Sequence, residues 1–458
     1  MAHIKVNAGL DVPIEGSPSE GGGEDLEKLA SPREVSLNLH PFEWVKFKLL
    51  VKAGDKVKLG QPLVYDKMHE KRKFVSPAGG VVKEVRRGLK RRLLDIVIEV
   101  DEKGGATEHN VMDASKASRQ EIIDRLLEGG GFAHIRHRPF NLLANYEQTP
   151  RSIFVKAIES APFAPTAELQ VSGHEAEFQA GLTALSRLTE GDVHLVHHVD
   201  SNCDAFTKAS DVQIHTVEGP HPAGNLSVHI SNIDPINQVD DVIWTVDVVD
   251  AITIGSLLLR GVYYTDRVLA IGGSGITESK RAFVRGRMGH PIGALIAGRN
   301  DKGLLRMISG DVLMGQKVEV DDFIHFNHTV FSVIPESIER ELLHFFRLGV
   351  NKYTHSRTYL SGLLKPGSRS YRFTTSLHGE HRGMVDGAVY QEVMPLQIPV
   401  LALVRAVQGR DWELADSLGL LEVDGEDFAL PTFVCPSKTE MVDIIKGALH
   451  HQAAENIH

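Results

Sequence analysis

The groups best suited to chemistry are scattered along 458 residues. His221 lies in Glu218-Gly-Pro-His-Pro-Ala-Gly-Asn225, where two prolines fix φ and two glycines release it. Such a loop can present an imidazole, or backbone N–H groups, to a ligand. No serine or carboxylate beside it in sequence completes a hydrolytic triad, and Gly-Pro turns also serve as plain punctuation. The run Gly129-Gly130-Gly131-Phe132 can bring N–H groups close to a phosphate, or it can simply end a helix. His194 and His198 would share one face of a strand and His197 the other, with no third ligand in reach; among 23 histidines this reads as chance clustering. Glu422, Asp424, Glu426 and Asp427 lack the spacing of a calcium loop and read as a solvated turn. Cys203 and Cys435 stand far apart, outside any Cys-x-x-Cys spacing, so the chain cannot hold an iron–sulfur cluster of its own and the two read as reduced thiols. No catalytic residue and no metal ligand set is assigned.

The elements that must position these groups fall into four regions. From Val51 to Val85, short alternating strands are broken at Gly54, Gly60 and Gly79-Gly80, a pattern that resembles the barrel-sandwich module of biotinyl and lipoyl carriers. Its hairpin, Asp66-Lys67-Met68-His69-Glu70-Lys71-Arg72-Lys73, offers Lys67 and Lys71 but lacks the Met-Lys-Met signature, so reuse of the fold without carriage is expected. This hairpin, Arg86-Arg87 and Lys90-Arg91-Arg92 are basic: a solvated face, or a dock for an acidic partner or lipid headgroups. Ser115 to Gly131 is helical, with Ser115 or Ser118 as cap and a stripe of Ile122, Ile123, Leu126 and Leu127. Beyond Pro150, the runs Ser152 to Ala157, Glu175 to Leu188, Val193 to His198, Val212 to Val217 and Ala251 to Leu259 alternate as in a parallel α/β layer. The first of them leads into Glu159-Ser-Ala-Pro162, not into Gly-x-Gly-x-x-Gly.

Arg267 to Gly272, Gly286 to Leu295 and Met307 to Gly315 resemble a soluble-ligand-binding β-grasp unit. Glu336 to Leu348 reads as an amphipathic helix, Pro366-Gly367 as a linker, and Trp412 to Leu420 and Thr439 to His450 as helices. The expected fold is thus an α/β multidomain chain. It comprises a barrel-sandwich module (1–110), a Rossmann-like α/β domain (111–265), an SLBB-like β-grasp module (266–335) and a mainly helical C-terminal region (336–458).

A formal net charge of -10 argues against nucleic-acid binding, which needs excess Lys and Arg against phosphate. The start Met1-Ala-His-Ile-Lys-Val6 lacks signal-peptide features, and the apolar stretches Val242 to Leu259 and Leu396 to Val407 are too short or too interrupted to span a bilayer. Membrane contact is expected through a partner.

Read in order, Gly9 to Pro18, the barrel-sandwich segment, Arg136 to Phe140, Gly219 to Gly224, Leu418 to Leu430 and Thr432 to Pro436 resemble the A subunits of sodium-translocating NADH:quinone reductases over nearly the whole chain. The run Met384 to Gln391 and Pro431 depart from that pattern. The resemblance implies membership of a translocase that couples NADH oxidation and ubiquinone reduction to sodium export. The chain would lie peripherally on the cytoplasmic side of the bacterial inner membrane, beside five further subunits, B to F. FAD, FMN and iron–sulfur centres would belong to those partners, with no covalent cofactor here, and the isolated chain would not be catalytic. The family is in turn similar to the flavin- and NADH-binding subunit of respiratory complex I. Gly129, Gly130, Gly131, Phe132 and Glu159 sit where that relative binds flavin and nucleotide, and with His221 they are the candidate cofactor-binding residues. Three roles stay open: quinone binding or gating, a structural scaffold without ligand, and a flavoprotein that retains FMN at Gly129 to Phe132.

Overall fold

The apolar run from Val242 to Leu259 divides at Asp247: Ile243–Asp247 is a buried strand and Val248–Leu259 a helix. A chain reversal marked by one acidic residue is what an α/β sheet needs, because the carboxylate favours the positive end of the helix it precedes. The computed structural model describes residues 1–19, 26–42, 44–338, 346–364 and 369–456. The helix expected over Glu336 to Leu348 and the Pro366-Gly367 linker fall largely outside these described residues.

Among the described residues, a seven-stranded sheet runs in the order His3–Lys5, Gln213–Glu218, Val193–His198, Ser152–Ala157, Ile243–Asp247, Arg136–Arg138, Leu142–Leu143. The first five are parallel and the last two close one edge as antiparallel strands. The central strands are buried on both faces, which explains their continuous apolar text. Helices Glu175–Ser186 and Val248–Leu259 cross closely on one face. A Cβ at Gly255 would lie 1.7 Å from the Glu177 carbonyl oxygen, so this crossing requires glycine.

The helix Arg119–Glu128 starts at Ser118, whose hydroxyl accepts from the Glu121 amide while the Glu121 carboxylate accepts from the Ser118 amide. This reciprocal cap selects Ser118 over Ser115. Its stripe of Ile122, Ile123, Leu126 and Leu127 is buried as the periodicity demands.

The barrel-sandwich is built from a four-stranded and a three-stranded sheet, packed through Val35, Leu37, Val64 and Phe74. Its core continues into Phe132 and Trp244 of the α/β unit. The Asp66–Lys73 hairpin is fastened down: Arg72 Nη1 donates to Asp66 Oδ2 at 2.7 Å, both side chains being buried, and Arg72 Nη2 donates to the Ala144 carbonyl. The His69 ring meets Tyr146 edge-on. A carrier hairpin must swing, and this one is tied to its neighbour.

A six-stranded sheet forms the β-grasp unit, with Asp266–Gly272 central and the short helix Ile292–Ile296 beneath it. The N-terminal segment serves two sheets, His3–Lys5 pairing with Gln213–Glu218 and Glu27–Lys28 with Ala282–Arg287. At the C-terminal end, Val400–Gly409, Trp412–Ser417, Ala429–Val434 and Met441–Asn456 pack through Val404, Leu420, Phe428 and Ile445, sharing a core with Val196, Val217 and Ala223 of the seven-stranded sheet. The helix expected from Trp412 to Leu420 stops at Ser417 because Gly419 adopts φ +92°.

Candidate functional site

Lys156 is a lone cation in the apolar strand Ser152–Ala157, one residue before its carboxyl end. Beside it ends Ile243–Asp247, and after Gln213–Glu218 comes the loop that carries His221. These three carboxyl ends open into one crevice, the position where open α/β sheets bind ligands. Two adjoining cavities occupy it, of about 240 Å³ and about 400 Å³. Both are lined by Lys156, Asp247, Asp250, Met314, His328 and Glu426. The walls thus come from the sheet, from the β-grasp loops around Met314 and His328, and from the C-terminal region.

Lys156 Nζ lies 2.6 Å from Glu159 Oε1 and 3.7 Å from Asp247 Oδ1. Burial works against its charge, yet the pull of Asp247, Glu159 and Glu426 outweighs burial and raises the amine's pKa. Burial pushes Asp247 up to about 6 against the attraction of Lys156, and pushes Glu426 up to about 8. The centre is therefore a fixed ammonium near two carboxyl groups, Asp247 and Glu426, that hold their protons more tightly than usual.

His221 lines the smaller cavity, buried, with Nδ1 2.9 Å from Ser160 Oγ, which also accepts the Gly224 amide at 2.9 Å. Sequence adjacency offers His221 no serine; the fold supplies Ser160 from 61 residues away. Burial first, then the charge of Lys156, lowers the His221 pKa to about 4, so the imidazole is neutral. His328, whose Nδ1 is 3.0 Å from Ser309 Oγ, is lowered by burial to about 4. In the larger cavity His134 bridges Asp250, at 2.6 Å from Nδ1, and the Tyr263 hydroxyl, at 2.7 Å from Nε2. The Arg136 guanidinium stacks 5.2 Å from the Phe42 ring, and the rim carries Trp44 stacked on His450 at 3.5 Å.

Of the sequence candidates, Glu159 and His221 come together in the smaller cavity. Gly129, Gly130, Gly131 and Phe132 lie elsewhere, buried in packing. A Cβ on Gly130 would come within 2.7 Å of Val75, and one on Gly129 or Gly131 would meet Leu257. The glycines let the chain pass close under the barrel-sandwich and deliver His134 to Asp250. The acidic run at 422–427 corrects its reading as a solvated turn. Asp424 and Asp427 are buried, Asn225 Nδ2 donates to Asp427 Oδ1 at 2.8 Å, and Arg138 lies close enough to offset part of the burial cost on Asp427. The aspartates cap their own turn and leave Glu426 facing the crevice.

His194 pairs with His215 at 3.1 Å and not with His198. Among the described residues no group of three or more His, Cys, Asp or Glu is arranged to hold a metal ion, and no helix is long and apolar enough to cross a membrane. Cys435 is buried beside the Tyr390 hydroxyl, with Cys203 half-buried far from it in sequence. Sequence reasoning missed Lys156, Asp250, His134 and Glu426. A lysine inside a buried strand is the one local signal that pointed here.

Three family models match successive parts of the chain: the NqrA N-terminal barrel-sandwich hybrid domain over 4–101, the NqrA second alpha/beta domain over 117–263 and the NQRA C-terminal domain over 268–320. Whole-length relatives agree. The A subunit of the Na(+)-translocating NADH-quinone reductase from Chlamydia caviae is 38% identical, covering 99% of this chain and 97% of the relative. The A subunits from Chlamydia pneumoniae and Saccharophagus degradans are each 36% identical, covering 99% and 97% of this chain and 98% of either relative. Module order, fold and full-length identity lead to one conclusion: the chain belongs to the NqrA family, the A subunits of Na(+)-translocating NADH-quinone reductases.

Proposed function

We propose that the crevice around Lys156 receives the ring of a ubiquinone-type quinone and controls its access to the redox centres of the complex. The observation that carries this reading is a charged lysine held inside a cavity whose other walls include Met314, Val248, Phe326 and Leu226. A quinone ring needs such an apolar slot, with a few donors for its carbonyl oxygens. Lys156 and Asp250 line both cavities, the neutral His221 lines the smaller, and His134, which joins Asp250 to the Tyr263 hydroxyl, lines the larger. In this reading flavins and iron–sulfur centres lie in the five partners, B to F, which hold the chain on the cytoplasmic side of the inner membrane.

Calorimetric titration of the purified chain with a short-chain ubiquinone tests the proposal. The expected result is saturable binding, weakened about tenfold in His221→Phe, the equivalent of one lost hydrogen bond. Absence of saturable binding sinks it. A scaffold role without ligand is favoured by one observation, the continuous core that joins the barrel-sandwich to the α/β unit. An FMN on Gly129 to Phe132 is disfavoured, because Val75, Leu126 and Leu257 fill the space beside those glycines.

A further inference from the structure

The chain carries a net charge of -10, yet residues 346–386 read the opposite way. Arg347, Lys352, Arg357, Lys365, Arg369, Arg372 and Arg382 stand there against only Glu380 and Asp386, so seven basic residues less two acidic ones give a local +5. The same stretch and its approach also concentrate exposed apolar side chains: Ile338 is 77% exposed, Phe346 83%, Leu348 68%, Leu363 67%, Leu364 59% and Val385 86%.

The described parts of this strap are fastened to the body by their aromatic residues. Tyr353, Tyr371 and Phe373 meet one another edge-on or tilted, Tyr353 stacks on Phe433 and Phe373 meets it edge-on, Tyr371 pairs with Ile14, and Thr375 donates to Glu336 at 2.7 Å. Its inward face is therefore satisfied, and the leucines and phenylalanine that point outward are left over from that packing. Exposed aliphatic groups interleaved with arginine and lysine, in a chain otherwise acidic, match one kind of surface: apolar below and anionic at its face.

We propose that the strap formed by residues 346–364 and 369–386, with Ile338 beside it, docks directly on an anionic lipid bilayer. Arginines would meet the headgroups while Phe346, Leu363 and Leu364 enter the acyl boundary. This goes beyond attachment through partner subunits and stands without the quinone reading. Phe373 of the strap also belongs to the small core that includes Ala164 and Val330, which line the smaller cavity, so the bilayer contact would lie beside the crevice. The other basic face, near the barrel-sandwich, is built differently. There Leu89 is the one large exposed apolar neighbour among the described residues 80–100.

The test is co-sedimentation of the full-length chain with phosphatidylcholine vesicles and with vesicles containing phosphatidylglycerol, at low and high salt. Binding is expected on the anionic vesicles and at least about tenfold weaker on the neutral ones or at high salt, since each basic residue contributes about fivefold at an anionic surface. Arg357→Glu with Arg372→Glu, and separately Phe346→Ser with Leu363→Ser and Leu364→Ser, should each lower binding at least about tenfold, with circular dichroism and melting unchanged. The control Arg87→Glu with Lys90→Glu and Arg91→Glu should leave it unaltered. Equal binding to both vesicle types, no binding at all, or loss only in the control variant overturns the proposal. So does finding the strap buried against another subunit in the assembled complex.

Discussion

Two lysine-bearing regions set the terms for this molecule. The hairpin of the barrel-sandwich shows Lys67 and Lys71 to solvent, yet Arg72, through the Ala144 carbonyl, and His69, against Tyr146, bind it to the α/β unit. Lys156 has no motif around it and lies, 14% exposed, among Glu159, Asp247 and Glu426 in a crevice made by three regions of the chain. The conspicuous lysines lie at the surface, and the inconspicuous one lies where three regions of the chain converge.

Breaking the second region should have the largest effect. Lys156→Met removes the cation from carboxylates that are only partly buried, Glu159 at 29% and Asp247 at 46% exposure, so the cost is expected at the lower end of that for a buried pair, about 3 kcal/mol. Urea denaturation measures this; a loss below about 1 kcal/mol would place the cluster in water and remove the contrast. Next is the glycine loop, whose role here is packing. Gly130 holds φ +80° with Val75 against it, so Gly130→Ala should cost about 3 kcal/mol through crowding and left-handed strain. The same substitution should leave quinone binding unchanged, whereas a phosphate cradle would lose its ligand.

The crevice should also carry a pH signature, of the same sign as that of His69 in the hairpin, which burial also lowers. His221 and His328 are lowered to about 4 and His325, which lines the larger cavity, to about 3, chiefly by burial. Their unfolded counterparts take up protons near 6.5, so between 6.5 and the folded values the unfolded state binds more protons. Stability is then full above pH 6.5 and falls as pH drops toward 4. His325→Phe should abolish roughly 2 kcal/mol of the loss between pH 7 and pH 5, by the linkage of proton uptake to unfolding. A melting temperature flat across that range contradicts the burial of these rings. The smallest effect belongs to the hairpin: Lys67→Ala and Lys71→Ala should change stability by less than about 0.5 kcal/mol and leave activity of the complex intact.

Much of the architecture was legible in the text. Glycine-punctuated alternation marked the barrel-sandwich, Ser118 with Glu121 marked a helix start, and alternating runs after Pro150 marked the parallel layer. Less of the site was, because a crevice assembled from residues 156, 221, 247, 328 and 426 depends on tertiary contacts that no local period encodes. His221 and Glu159 were visible through turn chemistry and through likeness to a flavin-binding relative. His134 was hidden behind the glycines that place it. Glu426 was hidden in an acidic run whose neighbours turned inward to meet Asn225 and Arg138. The N-terminal strands were equally invisible, since their partners lie more than two hundred residues away.

The proposed function turns on entry of the quinone ring into the crevice around Lys156. Photolabelling of the complex and of the isolated chain with a short-chain azidoquinone, followed by peptide mapping, reads it out at the level of residues. Saturable labelling, competed by unmodified quinone, is expected on peptides that contain residues 156–161, 221–225 or 313–328. Label confined to the 66–73 hairpin, or label that no quinone displaces, would contradict it.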